Sequence, residues 1–197
     1  MDAIARISSK VRSHLASSKS DAKIIIAPGT SWRHQGTIDG GGTLIVGEQW
    51  AGGVHYHTRM SIPRDSRLTV TGYFRIFSGA RIGLGPGAFL KVGSGYINND
   101  ARISLFHGLT LGDEVAIGPN VSFLDDDRHE LVGSRRSGPI TIGNRVWIGM
   151  NVTILKGVTI GDGAVIGAGS VVARDIPAGY LAHGLPAKPI RPVEWRL

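Results

Sequence analysis

The sequence predicts an all-β coil, a parallel β-helix with three short strands per turn, and three regularities carry that prediction. Aliphatic residues recur at every sixth position: Ile142, Ile148, Ile154, Ile160, Ile166 and Val172 keep the step without a miss. Earlier runs, Val70, Ile76 and Ile82, then Leu105, Leu111, Ile117 and Phe123, keep the same step. Glycine follows the aliphatic residue at positions 112, 118, 143, 149, 161 and 167. Two residues before the aliphatic position sits a second small or branched one: Leu109, Val115, Val121, Val146, Val152, Val158, Ala164 and Ser170. A step of six matches neither the 3.6-residue period of a helix nor the 2-residue period of an alternating strand. One inward aliphatic residue per short strand and one tight turn per hexad satisfy it, and three hexads closing a triangular turn bury a continuous core between stacked turns.

The bulk composition agrees with one main domain. The chain has 197 residues, of which 42% are hydrophobic, enough for a real core. Its 29 glycines are dispersed between aliphatic residues instead of pooled in Gly/Ser tracts, so they punctuate turns. With no cysteine, a disulfide framework, a Cys-ligated metal and a thiol nucleophile are all excluded. A net charge of +7 favours anionic partners in general, yet the basic residues form no stripe interleaved with aromatics, and nucleic acid is not the expected partner. The N-terminus has no uninterrupted apolar stretch of signal-peptide length, and nowhere does the chain reach the roughly 18 apolar residues of a membrane span; with the lack of cysteine, a cytoplasmic protein is expected.

Along the chain, Ile4, Ile7, Val11 and Leu15 fall at spacings of three and four, which predicts a short amphipathic helix within residues 1–20. Residues 21–69 read as N-terminal strands leading into the coil, with Lys23 to Ile26 and Thr43 to Val46 as short strands on either side of the turn Gly40-Gly41-Gly42. The coil itself is expected over 70–191, with a tail at 192–197. Gly83-Leu84-Gly85-Pro86-Gly87 superficially suggests a dinucleotide loop, but no helix pattern or downstream acidic partner follows, and the hexads account for it.

The count breaks between Phe123 and Ile142, where LDDDRHELVGSRRSGPIT offers no aliphatic residue in step. This segment, about 124–140, is predicted to be a loop extruded from the coil. It carries His129 behind Asp125, Asp126 and Asp127, and loops on rigid scaffolds are where functional residues collect.

These residues resemble the hexapeptide-repeat transferases, whose fold is the left-handed parallel β-helix, and the likeness covers roughly residues 70 to 191. GPNVSFLDDDRHE followed by ITIGNRVWIGMNVTILKGVTIGDGAVIGAGSVV is similar to the sugar and exopolysaccharide O-acetyltransferase branch. That resemblance implies a homotrimer using acetyl-CoA or another acyl-CoA, with His129 as the base that deprotonates an acceptor hydroxyl for direct attack on the thioester. The absence of a cysteine and of a Gly-x-Ser-x-Gly elbow agrees with a reaction lacking a covalent enzyme intermediate. In the family the cofactor lies between neighbouring coils. The resemblance therefore implies that the turns at Gly149-Met150 and Ala168 line the pantetheine groove, with backbone N–H near Gly149 as an oxyanion donor. AHGLPAKPIR resembles the family's closing motif and assigns Lys188 and Arg191 to the cofactor phosphates, with Arg174 as a third cation. Where many members carry Thr-Lys after the last coil valines, this chain has Ala173-Arg174, keeping the charge and losing a hydroxyl.

Gly95-Tyr96-Ile97-Asn98-Asn99 resembles a segment whose asparagine binds the acceptor, which makes Asn98 and Asn99 candidates; the same amides also suit turn caps. Asp125 and Asp127 are candidates for orienting the imidazole or binding the acceptor. The expected function is thus transfer of an acyl group to a hydroxyl of a sugar or polysaccharide. The alternatives are N-acyl transfer to an amino sugar or antibiotic, and a non-catalytic scaffold. Zinc chemistry of the γ-class carbonic anhydrase kind finds only a shared coil, since His107 and His129 are far apart in sequence and His55 and His57 lack a third ligand, so no metal is expected.

Overall fold

Successive hexads alternate among three faces, and each face becomes a parallel sheet because every turn of the coil lays its strand on the previous one. The computed structural model describes residues 12–15, 20–129 and 137–196. These residues form strands, bridges and turns and no helix; in particular, none contains a helix long and apolar enough to cross a membrane.

The three sheets contain ten, seven and six strands, visited in rotation as the first, second and third face. On the first face Val46, Ile76, Ile97, Ile117, Ile148 and Ile166 pair rung to rung. The second stacks Met60, Ile82, Ile103, Phe123, Ile154 and Val172. The third stacks Val70, Val92, Leu111, Ile142 and Ile160, capped by Ile176. All of these side chains are buried and belong to one core. The predicted hexads are thus the three edges of one triangular core, and the companion residues, Leu109 to Ser170, are buried beside them.

The corners explain the turn residues. Arg145, Asn151, Gly157, Gly163 and Gly169, again six apart, all have positive φ, between 52° and 74°. A strand must be bent sharply through a left-handed residue, and glycine or asparagine adopts that conformation at least cost. Gly149 answers a different need: a Cβ there would lie 2.7 Å from Ala168 N, so the close approach of successive turns excludes a side chain.

Parallel pairing starts at Lys23–Ile26, upstream of the residue at which the six-residue count becomes legible. An insertion between the strands Thr43–Glu48 and Thr58–Ile62 breaks the count there. It folds back on the first face, with Trp50 packed edge-on against Phe77 at 4.7 Å and the Tyr56 N–H donating to Ser78 Oγ at 3.3 Å.

The expected N-terminal helix is corrected where it can be seen. Arg12–Leu15 is a strand running antiparallel to Lys23–Ile26, with Arg12 opposite Ile26 and Leu15 opposite Lys23. Lys23–Ile26 is the first strand of the parallel coil and exposes a row of unpaired backbone groups; pairing satisfies them, a tertiary gain that local helical spacing does not reveal. Ile4, Ile7 and Val11 lie outside the described residues.

Because an interior core residue is stacked between its register partners in the turns on either side, truncation leaves a void that the rigid ladder cannot close. Ile148→Ala, between Ile117 and Ile166, is expected to cost about 2–5 kcal/mol in denaturant unfolding, whereas Thr141→Ala on an exposed outward position should change stability by about 0.5 kcal/mol or less.

Candidate active site

The extruded loop leaves the second face after Ser122–Leu124 and rejoins the third face at Ile140–Ile142, as the break in the hexads predicts. Residues 130–136 of it lie outside the described residues. What holds its foot in place is Asp125. This side chain is buried, and its carboxylate accepts three backbone N–H bonds from the preceding corner: Phe106 at 2.8 Å to Oδ1, and His107 at 2.8 Å and Gly108 at 2.7 Å to Oδ2. A carboxylate can be buried when its charge is met by several convergent donors. The Asp125 carbonyl accepts from Gly138 N at 3.0 Å, so the outgoing and returning limbs meet at this residue.

Further contacts close the neck of the loop. Asp126 and Ser137 form an antiparallel bridge, and Ser137 Oγ lies 2.6 Å from His107 Nε2. Asp127 is ion-paired with Lys156 of the following turn, and the Arg128 guanidinium lies 4.4 Å from the centre of the Phe106 ring. His129, immediately beyond, is exposed. The two carboxylates expected to serve the acceptor or the imidazole therefore have structural partners: Asp125 is engaged by backbone donors and Asp127 by Lys156.

On the first face, Asn98 and Asn99 occupy a corner. Asn98 Oδ1 accepts the Asn99 N–H at 2.7 Å, and Asn99 Nδ2 donates to Ser78 O at 3.2 Å and Ser78 Oγ at 3.0 Å. These are the capping bonds that asparagine at a corner is suited to make. The Asn98 Nδ2 and Asn99 Oδ1 atoms have no partner among the described residues.

The turns at Gly149-Met150 and Ala168 show a regular pattern of used and unused backbone donors. Gly149 N–H donates to Ile166 O at 2.8 Å and Asn151 N–H to Pro119 O at 3.0 Å. One rung on, Gly167 N–H donates to Ala182 O at 2.8 Å and Gly169 N–H to Met150 O at 2.9 Å. The intervening N–H groups of Met150 and Ala168 have no acceptor among the described residues, and both residues are exposed. The N–H of Gly149 is thus taken up by the ladder, whereas those of Met150 beside it and of Ala168, one rung apart, have no acceptor among the described residues.

At the end of the coil, strands Tyr180–Gly184 and Ala187–Pro192 form an antiparallel hairpin. Lys188 and Arg191 lie on its last strand and Arg174 on the turn after Val171–Val172; all three are exposed, and among the described residues none makes an ion pair. Trp147, not among the residues expected from the sequence, is an exposed outward residue of the first face, its ring tilted against that of Trp195 with centres 5.9 Å apart. Its signal was available: it precedes an inward Ile148, so it faces out, where an indole is uncommon. Among the described residues, no three or more His, Asp or Glu side chains cluster in a way that would hold a metal ion; His57, one of the residues considered, is 3.0 Å from Ser31 Oγ.

Comparison with known proteins places these features in a family context. Residues 139–174 match the model of the bacterial transferase hexapeptide, six repeats. The chain is 45% identical over 106 residues to galactoside O-acetyltransferase of Escherichia coli K12, covering 51% of this chain and 52% of that protein. It is 50% identical over 91 residues to a Schizosaccharomyces pombe protein named as an acetyltransferase, covering 44% of each. The chain thus spans about half the length of the curated relatives it matches. Among solved structures it is similar to the polySia-specific acetyltransferase NeuO, with a TM-score of 0.51, 25% identity, and coverage of 81% of this chain and 78% of that one.

The Asp125 clamp has a direct test. Asp125→Asn keeps the shape but sets an amide donor against one of the three N–H groups. It is expected to cost about 1–3 kcal/mol and to accelerate hydrogen exchange at residues 106–108 and 138 ahead of the rest of the coil.

Proposed function

From the match of residues 139–174 to the hexapeptide-repeat transferases and the coil that contains them, we propose that the chain is a coenzyme A-dependent O-acyltransferase that acetylates a hydroxyl of a sugar or polysaccharide, as a homotrimer of left-handed coils. The observation that carries this reading is the combination of a clamped loop presenting an exposed histidine with two free backbone N–H groups on successive rungs of the coil. The O-acetyltransferase among its relatives supports a hydroxyl acceptor.

In this reading the pantetheine arm runs along the coil, where the Met150 and Ala168 N–H groups meet its amide carbonyls, and Gly149 and Gly167 keep the wall low enough for close contact. Lys188, Arg191 and Arg174 meet the phosphates at the coil's end. Asn98 and Asn99 present their unused amide atoms to the acceptor. Asp125 acts as a positioning residue through the loop foot, and Asp127 acts through its pair with Lys156.

His129 accepts the proton of the acceptor hydroxyl as the oxygen attacks the thioester carbonyl carbon. The tetrahedral oxyanion collapses, the C–S bond breaks, and the imidazolium returns its proton to the departing thiolate, leaving an ester and free coenzyme A. No bond to the protein forms.

Calorimetry with acetyl-CoA and a turnover assay against sugars and amines test this directly. His129→Ala is expected to bind acetyl-CoA as wild type does while turnover falls by about 10²- to 10⁴-fold. Lys188→Ala with Arg191→Ala should weaken coenzyme A binding with little change in kcat. If the wild-type protein bound no acyl-CoA, the transferase reading would fail and a scaffold would replace it.

A further inference from the structure

The second face carries a feature that the acyl-transfer chemistry does not use. Arg59, Arg81 and Arg102 are register partners on three consecutive rungs, each exposed and each followed by a buried core residue, Met60, Ile82 or Ile103. Their guanidinium groups therefore project from the same face at the strand repeat, about 4.8 Å per rung. Two positions along each strand lies a parallel column of small residues, Ser61, Gly83 and Ser104, with Arg33 opposite Ser61 at its start. Nothing lies within 4 Å of where a Gly83 Cβ would be, so the small column is an open floor beside the arginine wall.

Two surface depressions follow this line. One is lined by Ser31, Arg33, Arg59, Met60, Ser61 and Ile82, and the next by Gly79, Arg81, Asp100, Arg102 and Asn120. Asp100 is the one carboxylate among those lining residues. Among the described residues none of the four arginines makes an ion pair, although Arg67, Arg75, Arg145 and Arg196 elsewhere do. Like charges side by side on a sheet repel one another, and an anion laid across them relieves that repulsion.

The ladder also has a direction. The rung after Arg102 is Ser122, in the strand Ser122–Leu124, from whose end Asp125 and the His129 loop depart. We propose that the second face is a binding track for a linear anionic polysaccharide, one acidic sugar per rung, which delivers a hydroxyl of the chain to the loop that carries His129. One rung is close to the length of a pyranose unit, and the planar guanidinium fork matches a carboxylate in two-point geometry. A single-stranded nucleic acid is disfavoured because neither depression is lined by an aromatic residue on which bases would stack. This inference rests on the transferase reading for the destination of the track, but not for the track itself.

The test compares wild type with Arg59→Gln/Arg81→Gln/Arg102→Gln and with a charge-matched control, Lys23→Gln/Arg64→Gln/Lys91→Gln, whose residues are exposed elsewhere. Probes are polygalacturonate oligomers, size-matched neutral dextran and a single-stranded oligonucleotide. Wild type should bind the acidic oligomer with an affinity that falls as salt rises, and should not bind dextran. The ladder variant should lose about tenfold or more of that affinity and the control about twofold or less. Acetyl-CoA binding and turnover of a small sugar should be the same in all three proteins. An equal loss in the control would reduce the effect to net charge and overturn the proposal, as would tighter binding of the oligonucleotide than of the glycan. Absence of acetyl-CoA binding in wild type would instead contradict the transferase reading, and the glycan titration would be read independently of it.

Discussion

The interaction on which the rest of the structure depends is the rung-to-rung stacking of inward aliphatic side chains. Each of the three faces places a residue such as Ile117, Ile148 or Ile166 directly over its counterpart in the next turn, so no turn is stable alone and every turn fixes its neighbours. The six-residue step, the left-handed corner residues and the glycines where turns approach closely all follow from keeping those columns aligned. A segment that cannot supply the aliphatic residue in step must leave the coil, and the loop between Leu124 and Ile140 does so.

Alignment of the interior also aligns the exterior. An outward residue sits above the outward residue of the previous turn, so the fold creates columns of like side chains or like backbone groups with a fixed repeat. The free N–H groups of Met150 and Ala168 form one such series, and Arg59, Arg81 and Arg102 form another. A rigid coil therefore offers extended ligands a fixed repeat, the basis on which a pantetheine arm and a glycan are proposed for these two columns. The loop, clamped at its foot by the buried Asp125 carboxylate, brings a single histidine out of an otherwise regular surface.

Much of this was legible in the sequence because the hexads are local: Ile142 to Val172 announce three faces without knowledge of any contact. What was not legible depends on the length of a whole turn. Arg59, Arg81 and Arg102 are 22 and 21 residues apart, so their alignment emerges only once the register is known. The coil before Val70 was obscured by the insertion after Glu48 and by an irregularity in register between Val46 and Glu48. In the run Asp125-Asp126-Asp127, three carboxylates look alike on paper, yet burial makes the first an anchor while Lys156 pairs the third. The helical spacing at the N-terminus misled at Arg12–Leu15 because an open sheet edge outweighs local preference. His129 stands out in the sequence from its place in the loop and from family resemblance, and the structure shows it exposed just beyond the neck of that loop.

The most direct measurement of the central claim is the chemical identity of the product. Incubation with carbonyl-¹³C acetyl-CoA and an acceptor bearing both hydroxyl and amino groups, followed by two-dimensional NMR, would reveal which atom receives the acyl group. The account predicts an ester carbonyl correlated with a sugar carbinol proton, formed by wild type and absent with His129→Ala. An amide product alone, or ester formed equally well by the variant, would contradict it.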